Sequence, residues 1–324
     1  MTLAEGGRIG FAGDLSICRI LNGMWQVSGG HGRIDPARAV AAMAAYHAAG
    51  FTTWDLADHY GPAEDLVGAF GHRGEIQAFT KWVPPPGPMT RAVVEAAIDR
   101  SRRRMRTDRL DLLQFHWWDY ADARYLDALK HLADLREAGK IRHLGLTNFD
   151  TERLAVIAAH GIRIVSNQVQ YSLVDQRPAQ RMAAFCAEHG IVLLTYGTLL
   201  GGLLSEAWLG RPEPGRADLA TVSQQKYMRM IDAWGGWDLF QRLLAGLKAT
   251  ADRHGASIAR VAIRAILDRP AVAGVIVGAR LGIAEHIADN AGVFGLSLDA
   301  GELDGLPRGR DLMQAIGDCG DEYR

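Results

Sequence analysis

The chain has 324 residues, 48% of them hydrophobic and 23% charged, with a formal net charge of −1. That length suits two ordinary domains or one large α/β barrel. The near-neutral balance leaves no overall basic field to draw the protein to nucleic acid or anionic lipid.

RIGFAGDLSICRI (8–20) reads as a hairpin turning at or near Gly13-Asp14, and ICRILNGMWQV (17–27) runs on as an apolar strand. Asp35 is placed to cap a helix with Pro36 at its first position and Gly50 as its stop. FTTWDLA (51–57) is the next strand and PAEDLVGAF (62–70) a short helix. IQAFTKW (76–82) is a strand, after which Thr90 opens a helix with Val94, Ala97, Ile98, Ser101 and Met105 on one face. LDLLQFHW (110–117) is a strand, 123–138 a helix closed by Gly139, HLGLTN (143–148) a strand and 150–160 a helix. IRIVSNQVQYS (162–172) is a strand, 177–188 a helix and IVLLTYGTLL (191–200) a strand. The segment 201–227 reads as a long active-site loop, followed by helices at about 237–253 and 256–269. GVIVG (274–278) is the last strand, with a helix near 284–291.

Eight strands alternating with helices, most of them apolar on both faces, predict a parallel sheet covered by helices. The number eight favours a closed (β/α)8 TIM barrel over a doubly wound sheet. No linker composition interrupts the chain, so residues 1–324 are expected to form one domain. The polar start MTLAEGGRIGFAGD is unlike a signal peptide, and no apolar run approaches the roughly 18 residues of a membrane span. Cys18, Cys186 and Cys319 lie far apart with no CxxC spacing, which favours a reduced, cytoplasmic setting.

Chemistry in such barrels collects at the carboxyl ends of the strands. In order, those ends carry Asp55, Lys81, His116, Thr147 with Asn148, Gln168 and Tyr196. Barrel walls otherwise favour Val, Ile and Leu, so a ring of polar residues is costly unless paired or functional. Each alone has an ordinary explanation, as a helix cap, a solvated lysine or a satisfied core histidine; together at one end they make a site. With Tyr60 they form a proton-transfer set. A tyrosine hydroxyl has an unperturbed pKa of about 10, a neighbouring ammonium favours its phenolate, and a carboxylate keeps a buried lysine charged. Histidine can orient a carbonyl. Protonating a forming alkoxide in this way suits hydride delivery to the carbon by a nicotinamide.

The arrangement resembles the aldo-keto reductase family over nearly the whole chain. GFTTWDLADHYG with Glu64 and Gly68, KW (81–82), LLQFHW, GLTNF, NQVQYS, YGTLLGGLL and IVGAR followed by HIADN carry the likeness. The resemblance implies NADP(H) in preference to NAD(H), held without a Rossmann fold, and a small-molecule carbonyl or alcohol as substrate. It implies Tyr60 as general acid, Lys81 and Asp55 tuning it, and His116 positioning the carbonyl. Asn148 and Gln168 would hold the carboxamide, Tyr196 would stack on the nicotinamide, and Thr147 and Asp55 would also belong to the cofactor site. Gly197, Leu199, Gly201 and Leu203 would line the pyrophosphate, with Gly278, Arg280, His286 and Asn290 at the adenosine end. Gly23, Met24 and Trp25 would complete the cofactor site.

Thr147 stands where serine is common, a mild change that keeps the hydroxyl; His286 stands where many members carry an arginine on the 2′-phosphate, which weakens strict use of NADP. Trp25, Trp54, Trp82, Trp117 and Trp118 cluster at strand ends; Trp54 reads as packing, while Trp82 and Trp117, each next to a catalytic residue, are expected with Trp25 to wall the substrate. The basic run RSRRRMRTDR (100–109) reads as the solvated end of an amphipathic helix. No HExxH or similar spacing is present, so no metal is expected. The rival readings are a redox-sensing regulatory subunit of the same fold and a barrel hydrolase or isomerase without nicotinamide.

Overall fold

A computed structural model describes residues 3–72, 74–313 and Asp318; Cys319 lies outside the described residues. The expected hairpin forms from β1 (Arg8–Phe11) and β2 (Leu15–Cys18), antiparallel with Phe11 opposite Leu15. Ala12 (φ 54) and Gly13 (φ 90) take left-handed conformations in the three-residue link 12–14, the class of short hairpin loop that follows the two-residue turns in frequency. The apolar run expected as one strand over 17–27 instead divides. β2 belongs to the hairpin, β3 (Ile20–Gly23) belongs to the main sheet, and Trp25–Ser28 coil into a 3-10 turn. The last strand of the chain pairs with Ile20 to Gly23, whereas Leu15 to Cys18 pair with the first strand.

The chain continues through α1 (Pro36–Ala48), β4 (Thr53–Asp55), α2 (Ala63–Phe70), β5 (Gln77–Trp82), α3 (Arg91–Arg104), β6 (Leu110–His116), α4 (Tyr125–Glu137) and β7 (Ile141–Thr147). α5 (Thr151–Ala159), β8 (Ser166–Gln170), α6 (Arg177–Gln180), α7 (Met182–Glu188) and β9 (Val192–Tyr196) follow. α8 (Val222–Trp234), α9 (Trp237–Arg253), α10 (Ile258–Leu267), β10 (Val272–Gly278) and α11 (Ile287–Gly292) complete it. β10-β3-β4-β5-β6-β7-β8-β9 close into a barrel of parallel strands. The expected caps hold: Asp35 accepts from the Arg38 N–H at 2.9 Å with Pro36 behind it, and Thr90 opens α3.

Two further expectations are corrected. The helix expected over 177–188 is broken at Arg181. The segment expected as loop over 201–227 ends in α8, capped by Thr221. Tyr227, Met230, Ile231 and Trp234 of α8 are buried, a helical period that the loop-like composition upstream had masked.

The lumen is filled by Leu21, Phe79, Leu112 and Leu194, with Phe11 and Ile17 of the hairpin packed against them. A larger core lies between barrel and helices, and a further cluster beneath α8, α9 and α10. Cys18 and Cys186 are free thiols, pushed up to about 12 by burial. Among the described residues no helix is long and apolar enough to cross a membrane.

Candidate active site

Alternate residues of a strand face opposite sides, so β6 sends Leu112, Gln114 and His116 into the lumen and β5 sends Phe79 and Lys81. The parallel register sets Lys81 opposite Gln114 and Thr147 opposite both His116 and Gln168. A polar layer thus rests on the apolar floor at the carboxyl end of the barrel.

Its centre is a buried ion pair. Lys81 Nζ donates to both oxygens of Asp55, at 2.8 and 2.7 Å, and to the Leu56 carbonyl at 3.1 Å. Gln114 and Gln168 each donate an amide N–H to Asp55 Oδ1, at 3.0 and 2.7 Å. Asp55 and Lys81 are 3% and 2% exposed, so this charge pair is viable only because its hydrogen bonding is so complete. Lys81 Nζ lies 5.1 Å from the centre of the Tyr60 ring. The His116 ring meets Trp118 at 4.2 Å. Asp55, Tyr60, Lys81 and His116 therefore converge on one cavity.

The loop bearing Tyr60 is tied down from behind. Arg104, at the end of α3, donates to the carbonyls of Asp58 at 2.8 Å and Gly61 at 2.5 Å. It also pairs with Glu64 at 3.0 Å and Asp65 at 2.9 Å. Burial pushes the Glu64 carboxyl up from its ordinary value, against the pull of Thr80, Ser101 and Arg104. A side chain on Gly68 would strike the Arg104 carbonyl at 2.2 Å, so that glycine lets α2 and α3 meet. The basic run is thus not wholly a solvated face: Arg104 braces the tyrosine loop.

The cavity holds about 630 Å³. Gly23, Trp25, Thr147, Asn148, Gln168, Tyr196, Gly197, Leu199, Gly201, Gly278, Arg280, His286 and Asn290 all line it. Asn148 sits at φ 60, uncommon for a residue other than glycine. Its side-chain oxygen accepts from the Tyr196 hydroxyl at 2.9 Å, and its carbonyl accepts from Tyr120.

Four expected residues fall outside the cavity. Trp82 and Trp117 follow the lumen-facing Lys81 and His116, and alternation turns them outward, where both pack against Phe115. The Trp117 indole donates to the Asp119 and Asp122 carbonyls at 2.7 and 3.0 Å. Met24 follows the lumen-facing Gly23 and is core, and Leu203 packs into the cluster beneath α8. Gln168 keeps its place, but its amide nitrogen is committed to Asp55 and to Gln114 Oε1, each at 2.7 Å, so only its carbonyl oxygen is left for a ligand.

Three residues at the site were missed. Gln114 was hidden in an apolar strand, where its parity with His116 was the available signal. Lys226, 3% exposed on α8, places Nζ 5.1 Å from the ring centres of both Tyr196 and Tyr227. His31 shares a 2.6 Å hydrogen bond with Ser223 and meets the Trp25 ring edge-on at 4.9 Å. Nothing local in the sequence marked either, because both reach the site through α8.

Burial, with Arg280 adding to it, holds the His31 pKa below its ordinary 6.5. The unfolded chain then takes up this proton first as pH falls through about 6.5, so native stability is lost from there down to the folded pKa. The urea midpoint of the parent should therefore drop more steeply between about pH 7 and 5 than that of His31→Gln. Equal slopes would show that His31 is not held neutral by the fold.

The family model described as Aldo/keto reductase family matches residues 19–306. Flagellar radial spoke protein 5 of Chlamydomonas reinhardtii is 32% identical over 252 residues, covering 63% of this chain and 47% of that one. The chain thus spans about half the length of that relative. Aldo-keto reductase YhdN of Bacillus subtilis is 27% identical over 283 residues, covering 81% of each. Among solved structures, a glycerol dehydrogenase from Gluconobacter oxydans superposes with a TM-score of 0.79 at 22% identity over 97% of both chains. An aldo/keto reductase from Klebsiella pneumoniae, solved with NADP and acetate, does so at 0.71 and 23% identity, over 96% of this chain and 95% of that one.

Proposed function

Because the chain belongs to the aldo/keto reductase family, we propose that its cavity takes NADP(H) in preference to NAD(H). We propose that the chain, as one barrel domain, interconverts small aldehydes or ketones with their alcohols. The observation that carries this is Tyr60 beside a lysine held charged by Asp55, with His116 facing the same space. The residues fit a polar dinucleotide. Gln26 Oε1, His31 Nδ1, Thr147 Oγ1, Gln224 Oε1 and Arg280 Nε are buried without a protein partner, and all five residues line the cavity. Buried polar atoms of this kind call for a partner, and a dinucleotide carries enough donors and acceptors to meet them.

When bound, the cofactor supplies hydride to the carbonyl carbon. Tyr60 delivers its hydroxyl proton to the alkoxide oxygen as it forms, or accepts one in the reverse direction. The Lys81 ammonium stabilises the resulting phenolate, and Asp55 keeps that ammonium charged in a buried place. His116 hydrogen-bonds the carbonyl oxygen. Asn148, Gln168 and Tyr196 hold the nicotinamide end, Gly197, Leu199 and Gly201 the pyrophosphate, and Arg280, His286 and Asn290 the adenosine phosphate. Lys226 adds a cation beside the Tyr196 and Tyr227 rings, and it lines the same cavity as Gly197, where pyrophosphate charge would fall. The preference for NADP(H) is supported by the Klebsiella reductases solved with NADP and NADPH and by the bidentate reach of Arg280.

Titrating protein fluorescence with each cofactor tests the reading. Arg280→Ala should weaken NADPH about tenfold or more and leave NADH nearly untouched, since only NADPH carries the 2′-phosphate. Lys226→Ala should weaken both, because both carry pyrophosphate. A panel of aldehydes, ketones and alcohols followed by nicotinamide absorbance should yield turnover. Binding of neither cofactor would end this reading. Binding with no turnover on any carbonyl would favour the regulatory subunit, a reading to which the likeness to a radial spoke protein lends support.

A further inference from the structure

At the end of the barrel away from the cavity, where helices finish and strands begin, three metal-ligating side chains meet. His47 lies in the last turn of α1, and His72 and Glu75 lie in the link from α2 to β5. Glu75 Oε2 stands 3.2 Å from His47 Nε2 and 3.3 Å from His72 Nδ1. The three ligand atoms all lie within 4.8 Å of one another.

We propose that His47, His72 and Glu75 form a divalent transition-metal site, with zinc the ion that fits best, separate from the reductase site. The spacing supports it: with metal–ligand bonds of about 2.0–2.1 Å, neighbouring ligands of a tetrahedron stand about 3.3 Å apart. Both contacts to Glu75 already have that separation, and the two histidine nitrogens lie within 4.8 Å of each other. The donor set of two imidazoles and one carboxylate suits zinc, whereas calcium and magnesium take oxygen ligands.

The surroundings favour a cation there. α1 ends at Ala48 and α2 at Phe70, so the negative ends of two helix dipoles lie beside the cluster. The rings are also held in place. Phe70 stacks on His72 at 4.5 Å and meets His47 edge-on at 6.0 Å. The side chains of His47, His72 and Glu75 are 22%, 43% and 60% exposed, which leaves the fourth position of a tetrahedral ion open to water. The site would fasten the end of α1 to the link that leads into β5, the strand of Lys81.

The test uses the full chain without a histidine tag, stripped with chelator. Calorimetry with zinc chloride should give one ion per chain, with a rise in Tm on loading, and magnesium or calcium chloride should give no heat. Cobalt(II) at the site should develop the visible absorption of a four-coordinate ion. His72→Ala and Glu75→Gln, both at exposed positions, should each lower zinc affinity by about tenfold or more. Undiminished zinc binding in both variants, or no stoichiometric binding in the parent, would overturn the site. Because nicotinamide binding is measured at the other end of the barrel, its failure and the failure of the metal site are told apart.

Discussion

Tyr60→Phe is expected to lose about 10²–10⁴-fold in carbonyl reduction, the usual share of a general acid, while NADPH affinity stays within a few-fold of the parent. The substitution removes only the hydroxyl, so the ring keeps its place beside Lys81 and the loop keeps its clamp from Arg104. Loss should fall on kcat and kcat/KM together, since the proton is needed in the transition state rather than for binding. Steady-state rates with a saturating aldehyde, beside a fluorescence titration with NADPH, measure both. Turnover within a factor of a few of the parent would remove Tyr60 from the mechanism.

Lys81→Met should be the most damaging single change to the fold and to activity at once. It strips a buried carboxylate of its cation while the apolar floor beneath it stays in place. Gln114 and Gln168 still donate to Asp55, but two neutral amides do not replace a charge. Orphaning one partner of a buried pair costs about 3–5 kcal/mol, a large part of the stability of an ordinary domain. Asp55→Asn combined with Lys81→Met removes both charges and should regain much of that loss, because the remaining groups are neutral and can share the same amide hydrogen bonds. Urea unfolding of the parent, both single variants and the double variant forms a cycle that isolates the coupling. A double variant as unstable as the sum of the singles would mean that the pair is not coupled. Neither single nor double variant should turn over carbonyls at more than a small fraction of the parent rate.

The strand–helix alternation and the closing count of eight were legible because each element carries its own local signals. These include the cap at Asp35, the proline at the first turn of α1, and the apolar strand runs that a parallel sheet buries on both faces. Asp55, Lys81 and His116 were legible for a related reason: a polar residue at the end of an otherwise apolar strand stands out against its neighbours. Strict alternation, applied to the same strands, would also have turned Trp82, Trp117 and Met24 outward and brought Gln114 in, since each is one or two residues from a lumen-facing neighbour. What one segment cannot encode is where a distant segment will lie beside it. Lys226 and His31 reach the cavity only because α8 packs across it and meets the loop after β3, more than 190 residues away in sequence. Arg104 looked solvated until α3 came to rest behind the tyrosine loop. His47, His72 and Glu75 share no motif spacing, yet two helix ends bring them within reach of one ion. Local chemistry is written in neighbouring residues and can be read there, whereas these meetings depend on which surfaces the closed barrel leaves to be covered.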